Sequence, residues 1–386
     1  MTQASSSSNE QLDALQALRG VAAACVVLMH FKEWMTGFAP GLAAVARYGY
    51  VGVDIFFLIS GFIIFHTTRA LQSRQAGPFL VRRLCRVVLP AWAAMALLVP
   101  IAPPYLIDLV RGFAFLPLET GHPPFFGHAF LIVAWTLSYE LIFYGLFALT
   151  LVLPWSRDRR GWACATLLVV VMLAGQAAAG HFTLDATQTL PVGRATTVGQ
   201  VSLWPLLTMM SSPMLMEFVA GLGLAAAYGW RGGVPFRAWG VAIAAAGLAL
   251  AVLGCVWPGL QGHGPNRAGV FALGVVLFTL GAQARLLHGG ATERQRGFMA
   301  LVWLGGCSYS LYLFHPLLKA LLQPLAFRSS GAVLALLTVA ALAACVLLAA
   351  LMHRWVELPA QALGKRWSRR VGGRLLTRAE AGGGAV

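Results

Sequence analysis

The stretch Arg19-GVAAACVVLM-His30 places two ionisable side chains at the two ends of a mostly apolar run. Such a run predicts a membrane-spanning helix, and an ionisable residue inside a span is costly enough to mark a functional site. At about 100° and 1.5 Å per residue, Arg19 and His30 share one helix face and lie about 16 Å apart. With Arg19 at one water interface, His30 would lie near the midplane and could move a proton there. A histidine that only packs against a neighbouring helix explains His30 equally well.

The composition is that of a membrane protein with many helices. Hydrophobic residues make up 59% and charged residues 11% of the chain, against about 25% charged residues in soluble domains. Apolar runs of about 20 residues therefore predict an all-α polytopic protein with about ten spans. The predicted spans are 15–32, 50–68, 85–103, 130–153, 162–180, 205–228, 238–257, 268–287, 299–322 and 332–352.

The sequence also predicts how the chain divides into parts. The parts are a disordered polar tail (1–14), a transmembrane domain (15–356) and a basic cytoplasmic tail (357–386). The polar start lacks the features of a cleaved signal peptide. Residues 104–127 combine prolines with charged side chains, which indicates an external loop with a short interfacial segment. The single cysteines show no zinc-type spacing, so we expect no metal.

Basic residues predict the orientation in the membrane. An even number of spans puts both termini on one side, and a cytoplasmic N-terminus leaves most of the 28 Lys and Arg residues at inside helix ends. This asymmetry follows the positive-inside rule, so both termini are predicted to be cytoplasmic. Topology also accounts for the net charge of +15, and no nucleic-acid partner is needed to explain it.

A group of arginines opens the third span on its cytoplasmic side. Arg82, Arg83 and Arg86 are spaced so that they can present one basic surface. Guanidinium groups in that arrangement suit an anionic ligand such as a polyphosphate. Arginines at an inside helix end are also the ordinary signal of topology.

Three other ionisable residues, Asp54, Glu140 and His315, fall in the outer halves of their spans. Asp54 is also consistent with a helix cap, His315 with a kink before Pro316, and Glu140 with an ion pair to an arginine. The layered order of charges fits an enzyme that joins an anionic cytoplasmic donor to a neutral hydroxyl from the other side. It equally fits a proton-coupled transporter of a small or lipid-linked substrate.

A set of segments in a fixed order separates these two classes. The segments are LQALRGVAAACVVLMH, GYVGVDIFFLISGF, RRLCRVVLP, WTLSYELIFY, MEFVAGLGLA, GGCSYSLYLFHPLL and HRWVELPAQ. Together they resemble the acyltransferase-3 family of bacterial membrane acyltransferases, particularly the exopolysaccharide O-acetyltransferases. The resemblance implies a multi-pass protein of the bacterial inner membrane. It also implies transfer of an acyl group, usually acetyl from acetyl-CoA, to a hydroxyl of a polysaccharide or lipid-linked sugar.

The resemblance also implies roles for individual residues. Arg83 and Arg86 would hold the phosphates of CoA, and neutral His30 would act as general base, for which an ordinary imidazole pKa of about 6.5 is suitable. Glu140 would orient that imidazole or bind the sugar. Arg19 would keep His30 neutral or contact the donor.

The remaining expectations concern the donor and acceptor sides. Arg82 would help to hold the donor. The acceptor motif departs from the family's usual pattern at Thr136, where serine is usual, and at Leu141, where many members have a second glutamate. A covalent acyl-serine route stays open beside direct transfer. The candidate nucleophiles for that route are Ser60, Ser138 and Ser308. The predicted substrate-binding residues are Asp54, His315 and Ser138.

The predicted topology can be tested with reporter fusions. We expect fusions at Gly180 and Gly262 to report the external side and fusions at Arg159 and Thr292 to report the cytoplasm, because basic residues cluster at the inside ends. Paired reporters, one active on each side of the membrane, provide the control. A cytoplasmic signal at Gly262 would contradict the ten-span prediction.

Overall fold

The computed structural model consists of helices and connecting loops. The described residues are 3–68, 75–127, 130–153, 155–188, 190, 202–229, 236, 238–256, 261–286 and 292–382. No strand occurs among them, which confirms the all-α class. Parts of the predicted tails (1–2 and 383–386) and the last residues of two predicted spans (257 and 287) lie outside the described residues.

The described residues form α-helices that are numbered here in chain order. The first eight are α1 (Gln3–His30), α2 (Lys32–Met35), α3 (Pro40–Ala46), α4 (Val51–Thr67), α5 (Ala76–Leu98), α6 (Leu106–Phe113), α7 (Trp135–Thr150) and α8 (Arg157–Ala178). The next are α9 (Trp204–Met210), α10 (Leu215–Gly229), α11 (Gly240–Val256), α12 (Ala268–Leu286), α13 (Thr292–Gly306), α14 (Ser308–Phe327), α15 (Gly331–Met352) and α16 (Leu358–Gly382). Both α1 and α16 extend into the predicted tails, whose bounds stay predictions.

Several helical stretches among the described residues are long and apolar enough to cross a membrane. They are Asp13–His30, Pro40–Thr67, Asp158–Ala178, Trp204–Gly229 and Gly331–Gly372, with a sixth if the bent pair Arg296–Gly306 and Ser308–Phe327 is one span. Each predicted span overlaps at least one of the helices, and α11 and α12 are shorter apolar helices. The structure therefore supports a membrane protein with several spans. The count of ten and the orientation stay predictions.

Helix α4 lies at the centre of the bundle and packs against α1, α10 and α12. Phe57 of α4 and Phe143 of α7 both stack on Phe218 of α10, with ring centroids 4.6 Å apart in each pair. Gly61 and Gly221 meet where α4 crosses α10, and a Cβ on either would collide with the backbone of the other helix. Small residues thus let these two helices approach closely, as is common in membranes.

The predicted span 299–322 is not one straight helix. It divides between α13 and α14, whose axes differ by 69°. Gly305 lies against the backbone of Gln16 at a separation that no side chain would allow, and a glycine pair at this point permits the sharp turn. Because α14 begins at Ser308, His315 lies seven residues into its helix. That is about 10 Å from the helix start, whereas the straight span predicts about 24 Å.

The connection between α5 and α7 contains no membrane-spanning helix within 104–127, as the sequence predicts. Within 104–127, helix α6 has eight residues, about 12 Å of length, which is too short to span a bilayer. The segment is fastened to α7 by two hydrogen bonds. Ser138 donates to the carbonyl of Phe115 at 2.7 Å, and Tyr139 donates to that of Pro124 at 3.3 Å.

The close crossing of α4 and α10 predicts a contrast between two glycines of one helix. Gly221→Ala should lower the free energy of unfolding by about 1–3 kcal/mol, since the added methyl overpacks the crossing. At Gly223 a Cβ would meet nothing within 4 Å. Gly223→Ala should therefore be neutral or raise stability by up to about 1 kcal/mol. Thermal unfolding in detergent measures both, and equal melting temperatures would contradict the packing argument.

Candidate active site

A pocket with about 790 Å³ of empty space, including its open mouth, lies between α1, α4, α5, α7 and α14. Apolar side chains of α4 form one wall, and polar groups face them. The polar groups are Arg19, Ser60, Arg83, Arg86, Thr136, Glu140, Tyr144, Ser308, Tyr309 and Tyr312. Four residues for which the sequence predicts a catalytic or donor-binding role, Arg19, Arg83, Arg86 and Glu140, are thus brought together.

Three guanidinium groups dominate the charge of the pocket. Arg19 comes from α1, and Arg83 and Arg86 come from α5. The Arg83 guanidinium lies 5.7 Å from the ring centroids of both Phe79 and Tyr144, so aromatic faces support it. Burying several like charges is costly unless anions accompany them.

Glu140 supplies the first of these anions. Tyr144, one turn further along α7, donates a hydrogen bond to the Glu140 carboxylate. Ser60 of α4 donates to the same carboxylate oxygen at 3.4 Å. The negative charge acts on Arg19 and Arg83. The contacts of Glu140 are therefore hydrogen bonds to Tyr144 and Ser60, and its pairing with an arginine stays a prediction.

Glu357 supplies the second anion from behind the pocket. It ends a π-helical turn (His353–Glu357) between α15 and α16 and is 1% exposed. Its carboxylate accepts hydrogen bonds of 2.9 Å from His353 and from Ser310. Its charge acts on Arg86. With Glu140, two carboxylates accompany three guanidinium groups, so these described charges leave the pocket net positive.

The first turn of α14 lines the middle of the pocket. The Ser308 hydroxyl is fully buried and has no hydrogen-bond partner among the described residues. The hydroxyl of Tyr309, by contrast, donates to the carbonyl of Val87 at 2.7 Å. Ser308 therefore has a free hydroxyl to offer a ligand in the pocket.

Tyr312 lies one helical turn beyond Ser308 on α14 and also lines the pocket. Its hydroxyl donates to the carbonyl of Val133 at 3.1 Å and accepts a hydrogen bond from Thr136 at 2.9 Å. The Tyr312 ring lies 5.9 Å from the ring of Phe56 and 6.4 Å from that of His315 between centroids. The tyrosine thus stands between the pocket and the histidines behind it.

His30 does not line the pocket. Its Nδ1 lies 2.9 Å from the carbonyl of Val26 and 3.1 Å from Nε2 of His315. The apolar stretch of α1 ends at His30, so this residue lies at a helix end, and its depth in the membrane stays a prediction. A salt bridge of 2.9 Å between Lys319 and Glu33 lies nearby. Burial works to raise the pKa of Glu33, but the hydrogen bonds and positive charges of Lys319 and Lys32 together outweigh it and keep the pKa below its usual value.

Asp54 is fully buried and joins α4 to the loop before α12. Its Oδ2 lies 2.8 Å from Nδ1 of His263, and its Oδ1 accepts the backbone N–H of Gly264 at 3.0 Å. These bonds go to a different segment, so Asp54 does not act as the helix cap that the sequence allows. Its role in substrate binding stays a prediction.

Two further predicted site residues lie outside the pocket lining. The backbone of Arg82 faces Gly364 of α16, and the Ser138 hydroxyl is bonded to the α5–α7 connection. Among the part of the chain that the structure describes, no group of three His, Cys, Asp or Glu side chains could hold a metal ion.

Sequence reasoning missed several groups that the structure brings to the site. They are Tyr144, Tyr309, Tyr312 and Glu357. A signal existed for Tyr144, because it follows Glu140 by four residues on one helix. The other three lie on α14 and in the π-helical turn, and their faces could not be assigned without knowing which helices are neighbours.

Comparison with known proteins gives one family and two relatives. The profile of the family described as "Acyltransferase domain" matches residues 12–352. The chain is 29% identical over 280 residues to "Exopolysaccharide production protein ExoZ" of Rhizobium meliloti, covering 69% of this chain and 75% of that protein. It is 32% identical over 163 residues to "Putative membrane-bound transacylase BcsY" of Komagataeibacter xylinus, covering 38% and 39%. No solved structure matches the chain.

Proposed function

The chain belongs to the acyltransferase-3 family and is an acyltransferase, and from this premise we propose that it moves an acetyl group from cytoplasmic acetyl-CoA to a hydroxyl of an exported polysaccharide or its lipid-linked precursor. The observation that carries the proposal is the pocket lined by three half-buried arginines. The proposed polysaccharide acceptor is supported by the relative named for exopolysaccharide production. The transporter alternative has no comparable support.

The donor side follows from charge. CoA carries phosphates, and guanidinium groups bind phosphate oxygens in pairs of charge-assisted hydrogen bonds. Arg83 and Arg86 would hold those phosphates, with Arg19 completing the positive surface. Arg82, which faces α16, would take no direct part. Because CoA is a cytoplasmic metabolite, this mouth of the pocket would face the cytoplasm of a bacterial inner-membrane protein.

The acyl arm of the donor would run along α14. Besides the arginines, the pocket is lined by Ser308 and Tyr312 of α14 and by apolar side chains of α4. A pantetheine arm is a mostly apolar chain with two amide groups, and buried amides need hydrogen-bond partners. The free hydroxyl of Ser308 is placed to bond one of them. The thioester would then pass Tyr312 and meet the acceptor at His30.

The chemical step needs a base and a positioned thioester. His30 would take the proton of the acceptor hydroxyl as its oxygen attacks the thioester carbonyl. The carbon–sulfur bond then breaks, and the departing CoA thiolate takes the proton back from the imidazolium. Glu140, which lies among the arginines, would orient them. A covalent route stays open through Ser60 or Ser308, which line the pocket, but Ser138 is bonded elsewhere.

Substitution of His30 tests the catalytic part of the proposal. His30→Gln should lower the rate of acetyl transfer by about a hundredfold to ten-thousandfold, since a general base is lost. Binding of acetyl-CoA should persist, because His30 does not line the pocket. Purified protein with labelled acetyl-CoA and a polysaccharide acceptor measures both properties. His122→Gln, in the α5–α7 connection, is the control, and equal label transfer by His30→Gln and wild type would exclude His30 as the base.

Substitution of the arginines tests the donor site. Arg83→Lys and Arg86→Lys should each weaken acetyl-CoA binding although the charge is kept, since lysine cannot reproduce the paired hydrogen bonds. A lost charge-assisted bond of about 1.5–3 kcal/mol corresponds to a Kd about 10- to 100-fold higher. Arg159→Lys, an exposed residue of α8, is the matched control. An unchanged Kd in the double Arg83→Lys, Arg86→Lys variant would leave topology as the only explanation of these arginines.

A further inference from the structure

His315 has both of its ring nitrogens engaged. It is 1% exposed, and its Nδ1 lies 3.0 Å from the carbonyl oxygen of Leu311. Its Nε2 lies 3.1 Å from Nδ1 of His30, and the two ring centroids are 4.8 Å apart. No ring nitrogen of His315 is left to bind a sugar hydroxyl, which was the role that the sequence suggested for it.

The partners of the two rings determine where the hydrogens are. A carbonyl oxygen only accepts, so Nδ1 of His315 carries a hydrogen for Leu311, and in the neutral ring Nε2 is a bare acceptor. Nδ1 of His30 faces two acceptors, the carbonyl of Val26 and the bare Nε2 of His315. Nδ1 of His30 must therefore carry the hydrogen. Its Nε2 is then the unprotonated nitrogen.

We infer that His315 is a positioning residue, which holds His30 in the tautomer whose Nε2 can accept a proton from the acceptor hydroxyl. The inference rests on the proposed function and deepens it. A histidine that serves as base is commonly oriented by a third group bonded to its other nitrogen. Here the imidazole of His315 and the backbone carbonyl of Val26 orient His30 in this way.

The same contact assists the charged state of the base. When Nε2 of His30 takes the proton, the imidazolium still donates from Nδ1 to the lone pair on Nε2 of His315. A hydrogen bond from a charged donor is stronger than one from a neutral donor. His315 thus stabilises the imidazolium without itself gaining a proton. Other charged groups around His30 are Lys32, Glu33 and Lys319.

Two substitutions of His315 separate positioning from packing. His315→Leu removes the acceptor, and kcat for acetyl transfer should fall about 10- to 100-fold, as for other groups that orient a histidine. The KM for acetyl-CoA should hardly change, because His315 does not line the donor pocket. His315→Gln should restore most of kcat, because the amide oxygen accepts from His30 and the amide nitrogen donates to Leu311. His122→Leu is the matched control.

The kinetic outcomes are distinct from failure of the proposed function. A wild type that transfers no acetyl group would defeat the proposed function itself. An active wild type with equal kcat in His315→Leu would overturn the positioning role. A raised KM for the acceptor with unchanged kcat would instead return His315 to substrate binding.

The tautomer can be observed directly in the wild type, so the test does not depend on any variant folding. Nitrogen-15 spectra of histidine-labelled protein in lipid, with the His30 signals identified by their loss in His30→Gln, distinguish the two ring nitrogens. We expect a protonated Nδ1 and a bare Nε2 for His30. A protonated Nε2 with a bare Nδ1 would overturn the inference.

Discussion

The cluster of half-buried arginines Arg19, Arg83 and Arg86 is the constraint on which the rest of the site depends. Three guanidinium groups inside a helical bundle need anions close by. Glu140 on α7 and Glu357 between α15 and α16 bring two negative charges to this region from helices distant in sequence. In the proposed function, an anionic donor would neutralise the positive charge that remains.

The sequence predicts much of this arrangement because local rules govern it. Apolar runs locate the helices, and the spacing of Arg83 and Arg86 puts them on one face of α5. The convergence of Arg19 and Glu140 with them follows the rule that buried charges find partners. By contrast, the bend between α13 and α14 depends on Gly305 touching α1. No periodicity reveals such a contact, so the single straight helix predicted through 299–322 was wrong.

The same reasoning explains which roles could not be predicted. The residues of the pair His30 and His315 are separated by most of the chain, and nothing in either segment indicates that α1 and α14 are neighbours. Asp54 illustrates the opposite case. Its burial is visible in the sequence, but its partner His263 lies in a loop before α12. A buried acid needs a partner, and only tertiary structure tells whether that partner is a substrate or the protein.

One face of α14 joins the two halves of the proposed reaction. Ser308, Tyr312 and His315 follow one another at spacings of four and three residues, which align them on one side of the helix. The first two line the pocket, and the third holds His30. The bend at Gly305 makes this possible, because it starts α14 at the pocket. In a straight helix through 299–322 these three side chains would point in other directions. One helix would then no longer contact both the pocket and His30.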